Sequence, residues 1–197
     1  MRRLQATMGC HMPDAVLDQK ATDELNLRLS VAFNTAVPFL LFGMALGQTS
    51  LVAVPVLFWW IMGLIGYSLV EYAFHRWILH GLVKHGHHLH HFEPFAPHAM
   101  PFCAGLCVHT LLLVILSLSL GLDLALCITL GSSTGYALYC QLHELIHRDP
   151  SLARRLVPRL HRHHMLHHRT GNASAGDACN YGVLTTFWDR LFATFRP

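Results

Sequence analysis

Charge is what this sequence has least of. Asp, Glu, Lys and Arg make up 13% of its 197 residues, about half the ~25% of an ordinary soluble domain. Hydrophobic residues make up 53%, and the mean hydropathy is +0.38. So few charges cannot easily clothe a domain of this size in water, and much of the surface is expected to meet lipid. The formal net charge is only +3, and no nucleic-acid partner is expected. Close cysteine pairs of metal-binding type are missing as well. Four of the six cysteines (Cys10, Cys103, Cys107, Cys127, Cys140 and Cys179) fall in or beside apolar runs. They read as small buried hydrophobes, not as a disulfide framework. The sequence has no GxSxG elbow, no phosphate loop and no dinucleotide fingerprint, so nucleophilic hydrolysis and nicotinamide chemistry lack residues to carry them. The first twenty residues contain Asp14 and Asp18 but no long apolar core, unlike a cleaved signal peptide.

What is present begins with four apolar stretches, at roughly 31–47, 51–74, 101–122 and 124–142. Crossing ~30 Å of hydrocarbon takes about 20 helical residues, so the second and third are ample. The first is short and carries Asn34 and Pro38; it is expected to tilt, kink or enter only part-way. Short links at 47–50 (GQTS) and 121–123 (GLD) predict two helical hairpins. All fourteen Lys and Arg residues lie outside those links, in the N-terminal segment, between the hairpins or after the second. By the positive-inside rule, both termini and the middle loop then share one face, the cytoplasmic one. The expectation is a single all-α domain over 1–197, multi-pass and integral to the membrane. It comprises a segment at 1–30, about four transmembrane helices at 31–142, and a His-rich cap at 143–197. Near the end, Leu184, Phe187, Trp188, Leu191, Phe192 and Phe195 recur at helical spacing. That stripe predicts a helix lying in the headgroup plane or packed against the cap. The Leu/Arg stretch at 152–160, interrupted by Pro158, suits either anionic lipid or a solvated surface.

The seventeen histidines are the strongest signal. Four motifs appear in order: His75–His80 (HxxxxH), His87–His90–His91 (HxxHH), His143–His147 (HxxxH) and His164–His167–His168 (HxxHH). On an α-helix, positions i, i+3 and i+4 share a face, so each HxxHH can aim three imidazoles into one cavity. His75 and His80 diverge by more than a turn, which fits either ligands for different ions or a helix that unwinds. Ten neutral imidazoles exceed the shell of one ion and fit two adjacent ions; imidazole suits iron, zinc, copper and nickel alike. Supporting positions are expected at His85, His88, His163, Glu144, Asn180 and Asp189. Metal-bound histidines commonly give their other N–H to a carboxylate; Glu71, Glu93 and Asp149 are further candidates, each with an arginine partner or a helix cap as the competing role. His98 belongs to the middle loop and His11 to a solvated tail. His109 reads as a satisfied core histidine ahead of a substrate contact. A metal transporter would also be His-rich, but its sites belong near the bilayer midplane, where these spans have almost no ionisable residues.

The ordered His motifs, followed by "NYGVLTTFWDRLFATF" at 180–195, resemble the fatty acid hydroxylase / sterol desaturase superfamily of membrane oxygenases, from about Glu71 to Phe195. The resemblance implies a di-iron centre held by the ten motif histidines, with zinc able to replace iron in purified protein. It also implies O2 as co-substrate, and oxidation of a lipid C–H bond with water as co-product. Electrons would come from a separate donor protein of ferredoxin or haem-carrier type, since 197 residues leave no room for a fused haem domain. "HHLHHFEPFAPHAMPF" and the HxxxH third motif look most like fatty acid 2-hydroxylases, "EYAFHRWILHG" resembles carotenoid hydroxylases, and the tail looks closer to sterol desaturases. Only six residues separate His80 from His87, where fatty acid hydroxylases have a longer insert, so the substrate mouth is expected to differ.

Overall fold

A computed structural model describes residues 14–48, 53–93, 103–171 and 178–197. Thr49 and Ser50 of the GQTS link, His11 and His98, and the side chain of His85, lie outside what is described. Among the described residues every regular element is helical. The order is α1 (Asp14–Gln48), α2 (Ala53–Ala73), a π-helical segment (Phe74–Leu82), α3 (Lys84–Phe92), α4 (Cys103–Leu120), α5 (Leu122–Arg148), α6 (Pro150–Leu156), α7 (Pro158–Thr170) and α8 (Phe187–Leu191).

Helix α5 is the axis of the molecule, with α1, α2 and α4 packed around it. Its side-chain partners set the directions. Asn34 and Thr35 of α1 meet Cys140 and Gln141, while Glu24, nearer the start of α1, meets Arg148, so α1 is antiparallel to α5. His109 of α4 meets Ser132, and the two helices are joined by Gly121 alone, at φ +85°. That left-handed backbone is one glycine adopts without a Cβ penalty. Helix α2 runs parallel to α5 and touches it backbone to backbone: a Cβ on Gly63 would lie 2.1 Å from the Ile128 carbonyl oxygen, and one on Gly131 2.0 Å from that of Trp60. The shared core is Val37, Leu41, Ala45, Leu126 and Leu130, with Trp60 and Leu113 against it.

Outward faces are apolar. Phe39, Leu40, Leu46, Leu111 and Leu118 are all strongly exposed, Leu118 at 85%, a density of bare hydrophobes that water-soluble surfaces avoid. Two segments, Glu24–Gly47 and Pro55–Leu82, are long and apolar enough to cross a membrane, and Ala104–Leu120 is apolar but shorter. The first apolar stretch is thus not short: α1 continues as helix through Pro38, and its apolar segment has 24 residues. The expected boundaries at 30/31 and 142/143 fall inside α1 and α5.

Beyond α5, proline sets the punctuation. Asp149 caps α6 by accepting the Leu152 N–H at 3.0 Å, with Pro150 in the first turn. Pro158 opens α7 where its missing N–H costs nothing. The amphipathic stripe predicted over 184–195 is helical only across Phe187–Leu191. Ala193 turns left-handed at φ 57°, and the Asp189 carbonyl accepts the N–H groups of Thr194 and Phe195, so the chain folds back and ends the helix. Phe192 stacks on Tyr72 at 5.4 Å, and the Trp188 Nε1–H donates to Ser68 Oγ at 3.0 Å. Phe187 and Leu191 stay exposed.

Candidate metal centre

All ten motif histidines gather at the end of the bundle where α2 and α5 terminate. They form two groups of five: His75, His80, His87, His91 and His167 in the first, and His90, His143, His147, His164 and His168 in the second. Within each group, one nitrogen per ring lies within 4.8 Å of all the others. His75 and His80 share the first group because the chain between them is π-helical. The Val83 N–H bonds to the Ile78 carbonyl at 2.8 Å, an i→i+5 pattern that stacks residues five apart. On an α-helix that spacing would have sent them to different faces. Each HxxHH motif is divided: His87 and His91 join the first group and His90 the second, while His164 and His168 join the second and His167 the first. The rings of His91 and His168 stack at 4.5 Å where the groups meet.

The nitrogen spacing fits metal ligation better than hydrogen bonding. His87 Nε2 lies 2.9, 3.1 and 2.9 Å from the Nε2 atoms of His75, His80 and His91. A ring nitrogen has one proton or one lone pair to offer, which accounts for one of those contacts. A shared centre ~2.1 Å from each nitrogen accounts for all three. In the second group, His164 Nε2 likewise approaches the Nε2 atoms of His147 and His168, at 2.9 and 3.1 Å.

Protonation state agrees with that use. Burial, reinforced by neighbouring imidazoles, lowers His91 and His147 to about 4. The same causes hold His87, His143, His164, His167 and His168 further below the ordinary imidazole value. At neutral pH these rings are neutral, the form that donates a lone pair.

Orientation comes from the tail. The Nδ1–H of His75 donates to the Tyr181 carbonyl, and that of His167 to the Cys179 carbonyl at 2.7 Å, which turns both Nε2 lone pairs toward the first group. Glu71 accepts the Val183 N–H at 2.9 Å. Asp189 accepts the N–H groups of Tyr181 and Gly182 at 2.8 and 2.9 Å, together with Thr194 Oγ1 and His163 Nε2. Asn180, at φ 58°, clasps the backbone of Arg196 through both ends of its amide. His163, Asn180 and Asp189 therefore support the first group through the 178–183 backbone. His88 sits beside it, its ring 6.4 Å from that of His80. Glu144 does not support a ligand: it pairs with Arg148 one turn on, and Asp149 is a helix cap. The carbonyls of Cys179 and Tyr181 are the outer partners sequence reasoning misses, because a backbone carbonyl leaves no signature in residue type.

An apolar cavity of about 450 Å³ opens beside the first group, between α2, α4 and α5. His75, Glu71 and Tyr139 lie at its metal-side end, and Met62, Ile128 and Leu112 at the other. Tyr136 and Tyr139 line the cavity wall. Tyr72 and Trp188 are committed to the tail, where Tyr72 bonds Thr194 Oγ1, and Trp77 is exposed.

The fatty acid hydroxylase family model matches residues 60–194, a span that includes all ten histidines and the tail that orients them. No curated protein sequence matches the chain. Among solved structures it is similar to full-length Scs7p, of which only the hydroxylase domain is visible. The TM-score is 0.67 and the identity 23%, over 86% of this chain and 66% of that one. At that identity the likeness is one of fold, and this chain spans just under two thirds of the Scs7p chain. With more than half of its length matched, the chain belongs to the fatty acid hydroxylase family.

Proposed function

We propose that this protein is an integral membrane lipid hydroxylase that inserts one atom of O2 into a C–H bond of a fatty acyl or related lipid. The observation that carries the reading is a pair of adjacent five-histidine groups, the first of which reaches one end of an apolar cavity through His75. Two iron ions, when bound, supply the redox chemistry that activates O2; the ten motif histidines hold them. Four helices, α1, α2, α4 and α5, cross the bilayer as two hairpins, with the histidine end facing the cytoplasm.

The rest is the work of the chain itself. The cavity draws an acyl chain out of the bilayer and keeps water from it, with Tyr139 and Glu71 beside the carbon to be oxidised. The carbonyls of Cys179 and Tyr181 hold the Nδ1 protons of His167 and His75, so those ligands keep one tautomer through the reaction. One oxygen atom enters the C–H bond, and the other leaves as water with two electrons and two protons. The electrons come from a separate ferredoxin- or haem-type carrier that docks on the Arg-rich face of α6 and α7. Desaturation, in which the lipid loses two hydrogens, uses the same residues and is the second reading.

The test is turnover under 18O2 by purified, iron-loaded protein with a chemical reductant and a mixed lipid extract. A lipid gaining one 18O atom is the expected product; loss of two hydrogens without label would show desaturation. O2-independent metal movement would overturn both readings. His168→Ala is expected to abolish the product while the protein stays in the membrane.

A further inference from the structure

Apart from Glu71 and His75 at its metal-side end and the tyrosines Tyr67, Tyr136 and Tyr139, the polar side chains lining the cavity are His109 and Ser132. His109 lines it from α4, a helix whose neighbouring Leu111 faces outward. The imidazole is buried, 5% exposed, and its hydrogen bonds fix its tautomer. Nδ1 lies 2.7 Å from the Gly105 carbonyl oxygen, which can only accept, so Nδ1 carries the proton and Nε2 the lone pair. Ser132, across the cavity wall on α5, lies 3.3 Å from Nε2 and supplies the proton for that contact. Tyr136 stacks on the imidazole at 5.6 Å and holds its plane.

The chain of donors thus runs one way, from Ser132 O–H to His109 Nε2 and from His109 Nδ1–H to Gly105. It ends at Ser132 Oγ, which lines the cavity and, having given its proton to that contact, keeps acceptor capacity. A group that uses this acceptor capacity must itself be a donor. Depth is set by the helix. Ser132 precedes His143 by eleven residues within α5, or about 16 Å at ~1.5 Å per residue.

We infer that His109 and Ser132 form a second recognition point for a hydroxyl group on the lipid, one long chain away from the carbon being oxidised. The substrate class is then a lipid with a hydroxyl at the buried end of its chain, in place of a plain hydrocarbon tail. This rests on reading the cavity as the lipid site of a hydroxylase. Ser132 Oγ accepts the lipid O–H while its own O–H donates to His109 Nε2; no covalent bond changes. An ether or a methyl end lacks the proton and gains nothing.

Binding without turnover tests the inference. Iron-loaded protein in lipid nanodiscs is titrated with palmitic acid, 16-hydroxypalmitic acid and 16-methoxypalmitic acid, and dissociation constants are read by native mass spectrometry. The hydroxy acid is expected to bind about tenfold more tightly than palmitic acid, the worth of one hydrogen bond in an apolar setting. The methoxy acid is expected to show no gain. Ser132→Ala and, independently, His109→Leu should bring the hydroxy-to-plain ratio close to one. A wild-type ratio near one, an equal gain with the methoxy acid, or a ratio unchanged in both variants would overturn it. None of these results depends on oxygen insertion, so failure here leaves the 18O2 experiment to decide the hydroxylase reading separately.

Discussion

Asp189 touches none of the ten clustered histidines, yet the first group depends on it. Its two carboxylate oxygens receive four donors: two backbone N–H groups, Thr194 and His163. Through them it fixes the segment whose carbonyls orient His75 and His167. Burial pushes its carboxyl upward, but the hydrogen bonds from His163, Thr194 and Gly182 outweigh that and hold it below the ordinary carboxylate value. Asp189→Asn keeps the shape and strands part of this donor set. Each buried donor left without an acceptor costs about 1–3 kcal/mol, so the variant is expected to melt earlier by several degrees and to release metal more readily. Its pH dependence identifies the cause. A carboxyl with a lowered native pKa contributes its full stability above the unfolded value of ~3.9 and loses it as pH falls through the native value. The melting gap between wild type and Asp189→Asn should therefore stay constant from pH 7 to 5 and narrow below about 4. A gap that is already closing between 7 and 5 would assign the effect to other groups.

At the scale of elements, α2 and α5 form the frame that carries both groups: α2 runs on into the π segment with His75 and His80, and α5 ends in His143 and His147. Their spacing is set by backbone contact, with a Cβ on Gly131 only 2.0 Å from the Trp60 carbonyl oxygen. A carbonyl inside a helix cannot swing aside, so Gly131→Ala forces the two helices apart. Overpacking of this kind costs about 1–3 kcal/mol, and metal content and thermal stability should fall together. Gly43→Ala on α1, where a Cβ meets nothing within 4 Å, is the control and should change neither. The helices and the gathering of the motif histidines are legible in the sequence, because apolar runs and i, i+3, i+4 spacing depend on position alone; the division of each HxxHH between two groups is not. Nor is the HxxxxH register, since a π segment and an α-helix that unwinds share one sequence pattern and differ only in which carbonyl each N–H finds. The short α8 is hidden for a similar reason: the stripe from Leu184 to Phe195 is helical in period, while the helix is ended by which backbone carbonyl Thr194 and Phe195 find, that of Asp189.

The division of each HxxHH motif joins the two groups into one assembly. Helix α3 sends His87 and His91 one way and His90 the other, and α7 divides His164 and His168 from His167. Whatever orders α3 and α7 for one group also places ligands for the other, and the stacked rings of His91 and His168 tie the two at their boundary. Two ions bound here should consequently stabilise each other, a coupling that is reciprocal by thermodynamic necessity. His147→Ala separates this from independent binding. His147 sits on α5, which holds ligands of the second group only, so its loss removes nothing from the first group's shell. Independent sites would leave one ion per chain in the variant. Coupled sites should leave well below one, because α3 and α7 lose the ion that held His90, His164 and His168 together, and His91 and His167 are loosened with them. Metal per chain, measured by elemental analysis after dialysis against a weak chelator, reads the difference directly. One full equivalent retained in His147→Ala would mean that the shared helices are rigid without metal.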